Sequence, residues 1–329
     1  MFTRKLLLGL SLVASLGAIA AQPAWSLTID FDDAETNYRT YTHNPDPDAL
    51  YRYGQVAAIH ALTDGDFSTN VELYYSSEDV TRNVGFDATV GNYTARVTSV
   101  TTSDWQDYGA QWRQDLFTRY NSFQTSWDSL SSPAQTVFEE TFKYAGLGDP
   151  NIAQFAMDAS GGMTIHTVGF YDLRAVLQTR AGEKLAQYET LAKLATATNT
   201  QKAAAAAQMG ISTTELNHKI AASPFAIEGL TALLATVNNL QETLQASEVA
   251  RVDLYKNGEF QGREYAYSFN AVASGITALD DGESYSGVYT WTKPGNSGDG
   301  NVPEPTFLLA TAVAGGLFSA AKRKQKQNS

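Results

Sequence analysis

Asp64, Asp66, Ser68, Asn70 and Glu72 alternate through the stretch DGDFSTNVE. Oxygen-bearing side chains at that spacing are the raw material of a calcium loop, since Ca²⁺ is held by several hard oxygen ligands. Asp64, Asp66, Asn70 and Glu72 are therefore the calcium candidates. An EF-hand also needs glycine at the sixth position and glutamate at the twelfth, where this chain has Thr69 and Tyr75. Two further acidic groups, Asp30 with Asp32 and Asp33, and Asp280 with Asp281 and Glu283, share the same composition. Solvated turn carboxylates account for all three groups, so no resident cofactor is expected, with calcium as the alternative that their oxygen ligands would suit.

Other catalytic chemistry leaves little trace. The histidines His43, His60, His166 and His218 are scattered, with no HExxH or HxH spacing, and read as structural or surface residues. The chain has no cysteine, which removes thiol catalysis, thiolate metal sites and disulfides together. Neither a GxSxG elbow nor a glycine-rich phosphate loop is present. A glycosidase pair of carboxylates leaves no local motif, so an extracellular hydrolase stays open as an alternative without any catalytic residue assigned.

Aromatic residues form the clearest pattern in the body of the chain. Trp105, Tyr108, Trp112, Leu116, Tyr120, Phe123 and Trp127 follow spacings of three and four, which puts them on one face of a single helix. Such a stripe ordinarily seats a helix against its neighbours. Left exposed, Trp105, Tyr108, Trp112 and Trp127 would instead give sugar rings a stacking surface, the reading of a carbohydrate-binding module.

The elements that must position these residues change character along the chain. Residues 27–104 alternate as strands, in LTIDF, VELYY and YTARVTSV, with turns at Asp64-Gly65, Asn83 to Gly85 and Gly91-Asn92. Residues 105–171 are mixed: the aromatic helix, a helix beginning at Ser132-Pro133 with Ser132 as N-cap and Gln135 reaching back, a short helix from Asn151, and a strand through GMTIHTVGF. Residues 172–247 are rich in Ala, Leu, Gln, Thr and Glu. Leu230, Leu233, Val237, Leu240 and Leu244 continue a helical stripe that starts at Ser223-Pro224, Tyr188, Leu191 and Ala195 provide its partner, and Ser212 to Glu215 forms another capping box. Residues 248–292 return to strands, with Asn257-Gly258 marking a hairpin. The expected fold is α+β: a β-rich sheet or sandwich formed by N- and C-terminal strands, with a helical hairpin or bundle inserted.

Two ends lie outside this body, which spans 27–292. At the front, Arg4 and Lys5 precede an apolar run from Leu6 to Ala21 and then Ala24 and Ser26, the three parts of a secretory signal peptide over residues 1–26. Signal peptidase would cut after Ser26, with Ala18 and Ala20 as an earlier alternative. At the back, a Gly/Asn/Ser linker over 293–301 leads to VPEPTFLLATAVAGGLFSAAKRKQKQNS. Thr306 to Ala321 is uncharged and would make a helix of about 24 Å, a short span for a bilayer. Lys322, Arg323 and Lys324 would keep the tail cytoplasmic and the body outside.

Val302, Pro303, Glu304 and Pro305, followed by a span containing Gly315-Gly316 and the basic Lys322, Arg323 and Lys324, strongly resemble the PEP-CTERM sorting signal over residues 302–329. The resemblance implies recognition by an exosortase, removal of the tail, and a protein that is first anchored in the inner membrane and then moves to the cell surface or beyond. It also implies association with an exopolysaccharide matrix or biofilm.

Charge agrees with an exterior life. The net charge is −12, and residues 27–301, without the signal peptide and the terminal 302–329 segment, carry 17 basic against 34 acidic residues. Such a surface repels phosphate backbones, which excludes nucleic acid as a partner. The expectation is an exported surface or matrix protein without catalytic activity, with a carbohydrate-binding module and an extracellular hydrolase as alternatives.

Overall fold

The computed structural model describes residues 26–31, 37–42, 51–52, 54–73, 82–143, 150–274 and 286–296. Ala24, the sorting residues Val302 to Lys324, His43 and the acidic groups at 32–33 and 280–283 lie outside the described residues.

The chain opens with β1 (Thr28–Asp30), β2 (Tyr38–Thr42), β3 (Tyr51–Arg52), α1 (Gln55–Thr63), β4 (Thr69–Leu73), β5 (Gly85–Val90) and β6 (Tyr93–Thr98). Three helices follow: α2 (Trp105–Arg119), α3 (Asn121–Asp128) and α4 (Ser132–Lys143). A hairpin of β7 (Asn151–Met157) and β8 (Met163–Gly169) separates them from α5 (Arg174–Lys193), α6 (Asn199–Gln208) and α7 (Thr213–Asn239). The chain then runs through β9 (Ala250–Lys256), β10 (Glu259–Ala266), β11 (Ala271–Ala273) and β12 (Gly287–Lys293).

The strands form two antiparallel sheets, one in the order β1-β5-β6-β9-β10 and the other β11-β12-β8-β7-β4-β2-β3. The fold is α+β, and strands from both halves of the chain share each sheet. Alternation drives the packing: Phe86, Ala88, Tyr93, Ala95, Val97, Val252 and Leu254 from the first sheet meet Val71, Leu73, Ile152, Phe155 and Ile165 from the second in one buried cluster. A second core belongs to the helices, where Trp112, Leu116, Phe123, Phe138, Leu177, Leu230 and Leu233 gather.

Asn257 and Gly258 turn the β9–β10 hairpin with φ of 53° and 80°, the left-handed pair that a tight hairpin turn requires. α7 is long and apolar enough to cross a bilayer by length and composition. Its Leu230, Leu233 and Val237 are instead packed in the helical core of this structure.

Several elements depart from the sequence reading, each for a local reason. The aromatic stripe is split between two helices that break at Tyr120, where φ is −132° and ψ 83°. The Tyr120 hydroxyl accepts the Gln245 N–H at 2.7 Å and donates to the Thr243 carbonyl at 3.1 Å, so a long-range tether holds the break. Asn151 begins a strand rather than a helix, because its segment pairs with both β4 and β8. Ser223-Pro224 lies inside α7, which starts ten residues earlier with Ser212 as N-cap. Pro224 lacks the N–H that would reach Ile220, and the Ser223 hydroxyl donates to that carbonyl at 2.7 Å in its place. Ser132 already belongs to α4, and Glu228 of α7 accepts the Ser131 N–H and hydroxyl at 2.9 and 2.8 Å. Gln135 extends to the Trp127 carbonyl rather than back to its own helix start. Leu240 and Leu244 lie past the end of α7 yet remain buried in the helical core.

The sandwich has two distinct poles. β6 ends toward α2, β8 ends toward α5, and α7 leads back to the start of β9, so all the helices after β6 are inserted at one pole. At the other pole lie the 91–92, 158–162 and 257–258 turns. Thr28 pairs with Thr89 beside the first of these turns. Asn296 donates its N–H to the Ser160 carbonyl at 3.0 Å and its side-chain amide to the Tyr93 hydroxyl at 3.4 Å. Both ends of the described body thus leave from the pole opposite the helices.

Gly229 is where α7 meets α4 most closely, since a Cβ there would fall 2.5 Å from the Ala134 carbonyl oxygen. Gly229→Ala should lower stability by about 1–2 kcal/mol although alanine favours helix by about 1 kcal/mol, because backbone must move. A urea midpoint equal to or above that of the parent would contradict this packing.

Candidate functional site

The stripe residues divide by depth. Tyr108 and Trp112 are only 4% and 2% exposed, inside the helical core, and do not present a stacking surface. Trp112 packs against Trp105, Phe142 and Phe269 with ring centroids 5.8, 5.7 and 5.3 Å away. Trp105 is half-buried, its indole lying over Gly109, where a Cβ would meet the ring at 2.5 Å. Trp127 is also half-buried, but it opens onto a cleft.

That cleft, of about 330 Å³, lies between α2 and α3 and is lined by Ala110, Gln111, Arg113, Gln114, Phe117, Gln124 and Trp127. Its size is near the lower end for small-molecule sites. The spacing of three and four that buries one face of α2 necessarily turns 110, 111 and 114 outward beside it. Arg113 stands 4.8 Å over the Trp127 ring and is held there by Glu139 of α4, Nη1 to Oε2 2.6 Å. Phe117 supports the same indole at 5.7 Å. Gln111 donates to Asp115 at 2.9 Å and Gln124 to Asp128 at 2.7 Å, each one turn along its own helix. Both amides are therefore oriented, with the carbonyl oxygen remaining as an acceptor. The glutamines escaped the sequence reading because polar residues on an exposed helix face carry no signal of their own. Only their position beside an aromatic stripe could have drawn attention.

A second polar cluster joins the first sheet to α2, and no motif announced it. Asp253 of β9 is 3% exposed, and its carboxylate accepts from Arg263 Nε at 2.6 Å and Arg251 Nη2 at 2.5 Å. Asp104, just before α2, accepts from the Thr101 N–H at 2.7 Å, the Thr101 hydroxyl at 2.8 Å and Asn83 at 2.9 Å, with Arg251 Nη1 at 3.3 Å. Burial alone pushes both carboxyls up, but these donors outweigh it and hold both below the usual carboxylate range. Tyr265 donates to Asp107 at 3.2 Å, and burial together with the nearby Asp104 and Asp107 raises its phenol, which stays neutral. Every charge here has an opposite partner, so the cluster acts as a joint.

The oxygen-rich stretch does not gather into one cage. Asp64 accepts the Asp66 N–H and the Thr69 hydroxyl, both at 2.8 Å, and its Oδ2 lies 3.2 Å from His60 Nδ1. Asp66 accepts the Ser68 N–H at 2.9 Å, so these two carboxylates shape the loop between α1 and β4. Asn70 is buried on β4 with its Oδ1 unpartnered among the described residues, and Glu72 accepts from the Tyr41 hydroxyl. His166 lies beside Thr290 at 3.0 Å, and burial lowers its pKa, while His218 is exposed on α7. Among the described residues, no three His, Cys, Asp or Glu side chains cluster as a metal site.

No protein-family model matches the chain, and no curated protein or solved structure matches it either.

Two outcomes follow from the buried joint. Asp253→Asn should cost about 3 kcal/mol, because Arg251 and Arg263 would lose their shared anion, and a chemical-denaturation midpoint checks it. Asp104 and Asp253 have folded pKa values below their unfolded values, so their stabilisation is complete above about pH 4 and is lost as pH falls through the folded values. Asp253→Asn should therefore flatten the fall in stability measured below about pH 4.

Proposed function

We propose that this chain is an exported, exosortase-processed structural protein of the bacterial surface or extracellular matrix, without catalytic activity. One observation carries the reading furthest: the two ends of the described body leave from the same pole, so both address segments attach there and the helical bundle stands at the far end. From Asn296 to Thr306 is ten residues, a reach of about 35 Å at full extension, and from Ala21 to Thr28 is seven, about 25 Å. A folded body can thus be tethered to one membrane by both segments without distortion. In this reading, signal peptidase acts after Ser26 and exosortase acts near Val302 to Pro305. The tail with Gly315, Gly316, Lys322, Arg323 and Lys324 is then lost, and the acidic body is left outside among matrix polysaccharide.

The full-length gene, expressed in a diderm host with its exosortase, should yield a surface protein whose mass corresponds to a start at Leu27 and loss of the tail. Glu304→Ala should leave the tail in place and the protein in the membrane fraction. Recovery of parent protein that still carries Lys322 to Ser329 would overturn the processing reading. Incubation of the processed protein with host polysaccharide should release no new reducing ends, and their appearance would favour the hydrolase instead.

A further inference from the structure

The cleft between α2 and α3 has a composition that is hard to explain as mere surface. A half-buried Trp127 is backed by Phe117 and capped on one side by the Arg113 guanidinium, which Glu139 holds in place. Around it, three planar amides come from Gln111, Gln114 and Gln124. Two of these are fixed by bonds to Asp115 and Asp128, so their carbonyl oxygens are oriented acceptors. An aromatic ring rewards contact with the C–H face of a flat apolar ligand, and planar amides supply paired donor and acceptor atoms for hydroxyls. A ligand that has both C–H faces and a rim of hydroxyls is a pyranose ring.

We infer that the cleft is a subsite for a neutral sugar residue of a glycan, packed against Trp127 and hydrogen-bonded by Gln111, Gln114 and Gln124. Charge decides between neutral and acidic sugars. Among the described residues that line the cleft, Arg113 is the one cation and is paired with Glu139, while Asp115 and Asp128 are bonded to the lining Gln111 and Gln124. A uronic acid or sulfated residue would meet net negative charge, with no unpaired cation among the described lining residues to receive it. The cleft is open and holds no more than a short piece of chain, so affinity for a single sugar should be weak, and repeated engagement of a polymer would raise it. The inference stands apart from the export reading, since it concerns only the helical end of the folded body.

The test uses the mature protein recovered from its host and affinity electrophoresis through gels containing neutral glucans, galactans or mannans. Parallel gels hold the same polymers after carboxymethylation. At least one neutral polymer should retard the protein, and carboxymethylation should weaken the effect. Trp127 also touches the core, so Trp127→Phe is paired with the double variant Gln111→Ala with Gln124→Ala, which alters only the cleft rim and leaves the packed face of each helix intact. Both should keep the far-ultraviolet circular dichroism of the parent and bind the retarding polymer about tenfold more weakly. The inference is overturned if no neutral polymer retards the protein. It is also overturned if the folded double variant migrates like the parent, or if the carboxymethylated polymer binds better than the neutral one.

Discussion

The pairing of β6 with β9 closes a loop of about 150 residues, from Thr98 to its partner Arg251, and everything else is arranged around that closure. Bringing such distant segments together carries a loop-closure cost, although that cost grows slowly with length. The ladder offsets it with six residue pairs and with the buried side chains of Tyr93, Ala95, Val97, Val252 and Leu254. At the helical end of the same seam, Arg251 reaches both Asp104 and Asp253, so the last residues before α2 and the first residues after the helical insertion are tied by one guanidinium. A buried ion pair is a weak source of net stability, but it penalises any arrangement that leaves one partner alone. Its contribution here is to the angle and register at which the helices meet the sheet.

From that joint, α2 divides its circumference among three tasks. Tyr108, Trp112 and Leu116 face the helical core. Asp107 and Asp115 meet the hydroxyls of Tyr265 and Tyr267, which anchors the helix to the end of β10 and the residue just after it. Gln111, Arg113 and Gln114 face the cleft shared with α3. The break at Tyr120 lets α3 turn while Phe123 stays buried and Trp127 reaches back over Arg113. A straight helix through Trp127 would have kept all the aromatics on one line and left no cleft.

The same construction separates the two poles. Because both sheets feed the helical insertion at one end, the opposite end is left with short turns and with the two exits of the chain. Gly161, with φ of 80°, lies against the Tyr93 ring, and Gly295 lies against Ser160, so the outgoing segment is held on the β7–β8 hairpin.

Much of the fold was legible in the sequence because the signals were local. Alternation in YTARVTSV and RVDLY, the Asn257-Gly258 turn and the Ser212 cap depend on neighbouring residues alone, and the α+β class follows from their order. The proposal that the two ends are a signal peptide and a PEP-CTERM-like tail rests on composition and order alone, because both lie outside the described residues. What tertiary structure decided were the places where a distant residue overrules a local preference. Thr243 and Gln245 break a helix at Tyr120, Ser223 keeps another continuous through Pro224, and Glu228 caps a helix that is not its own. The cleft belongs to the same class: periodicity can say that Trp127 shares a face with Trp112, but only packing decides that one is buried and the other opens toward three glutamines.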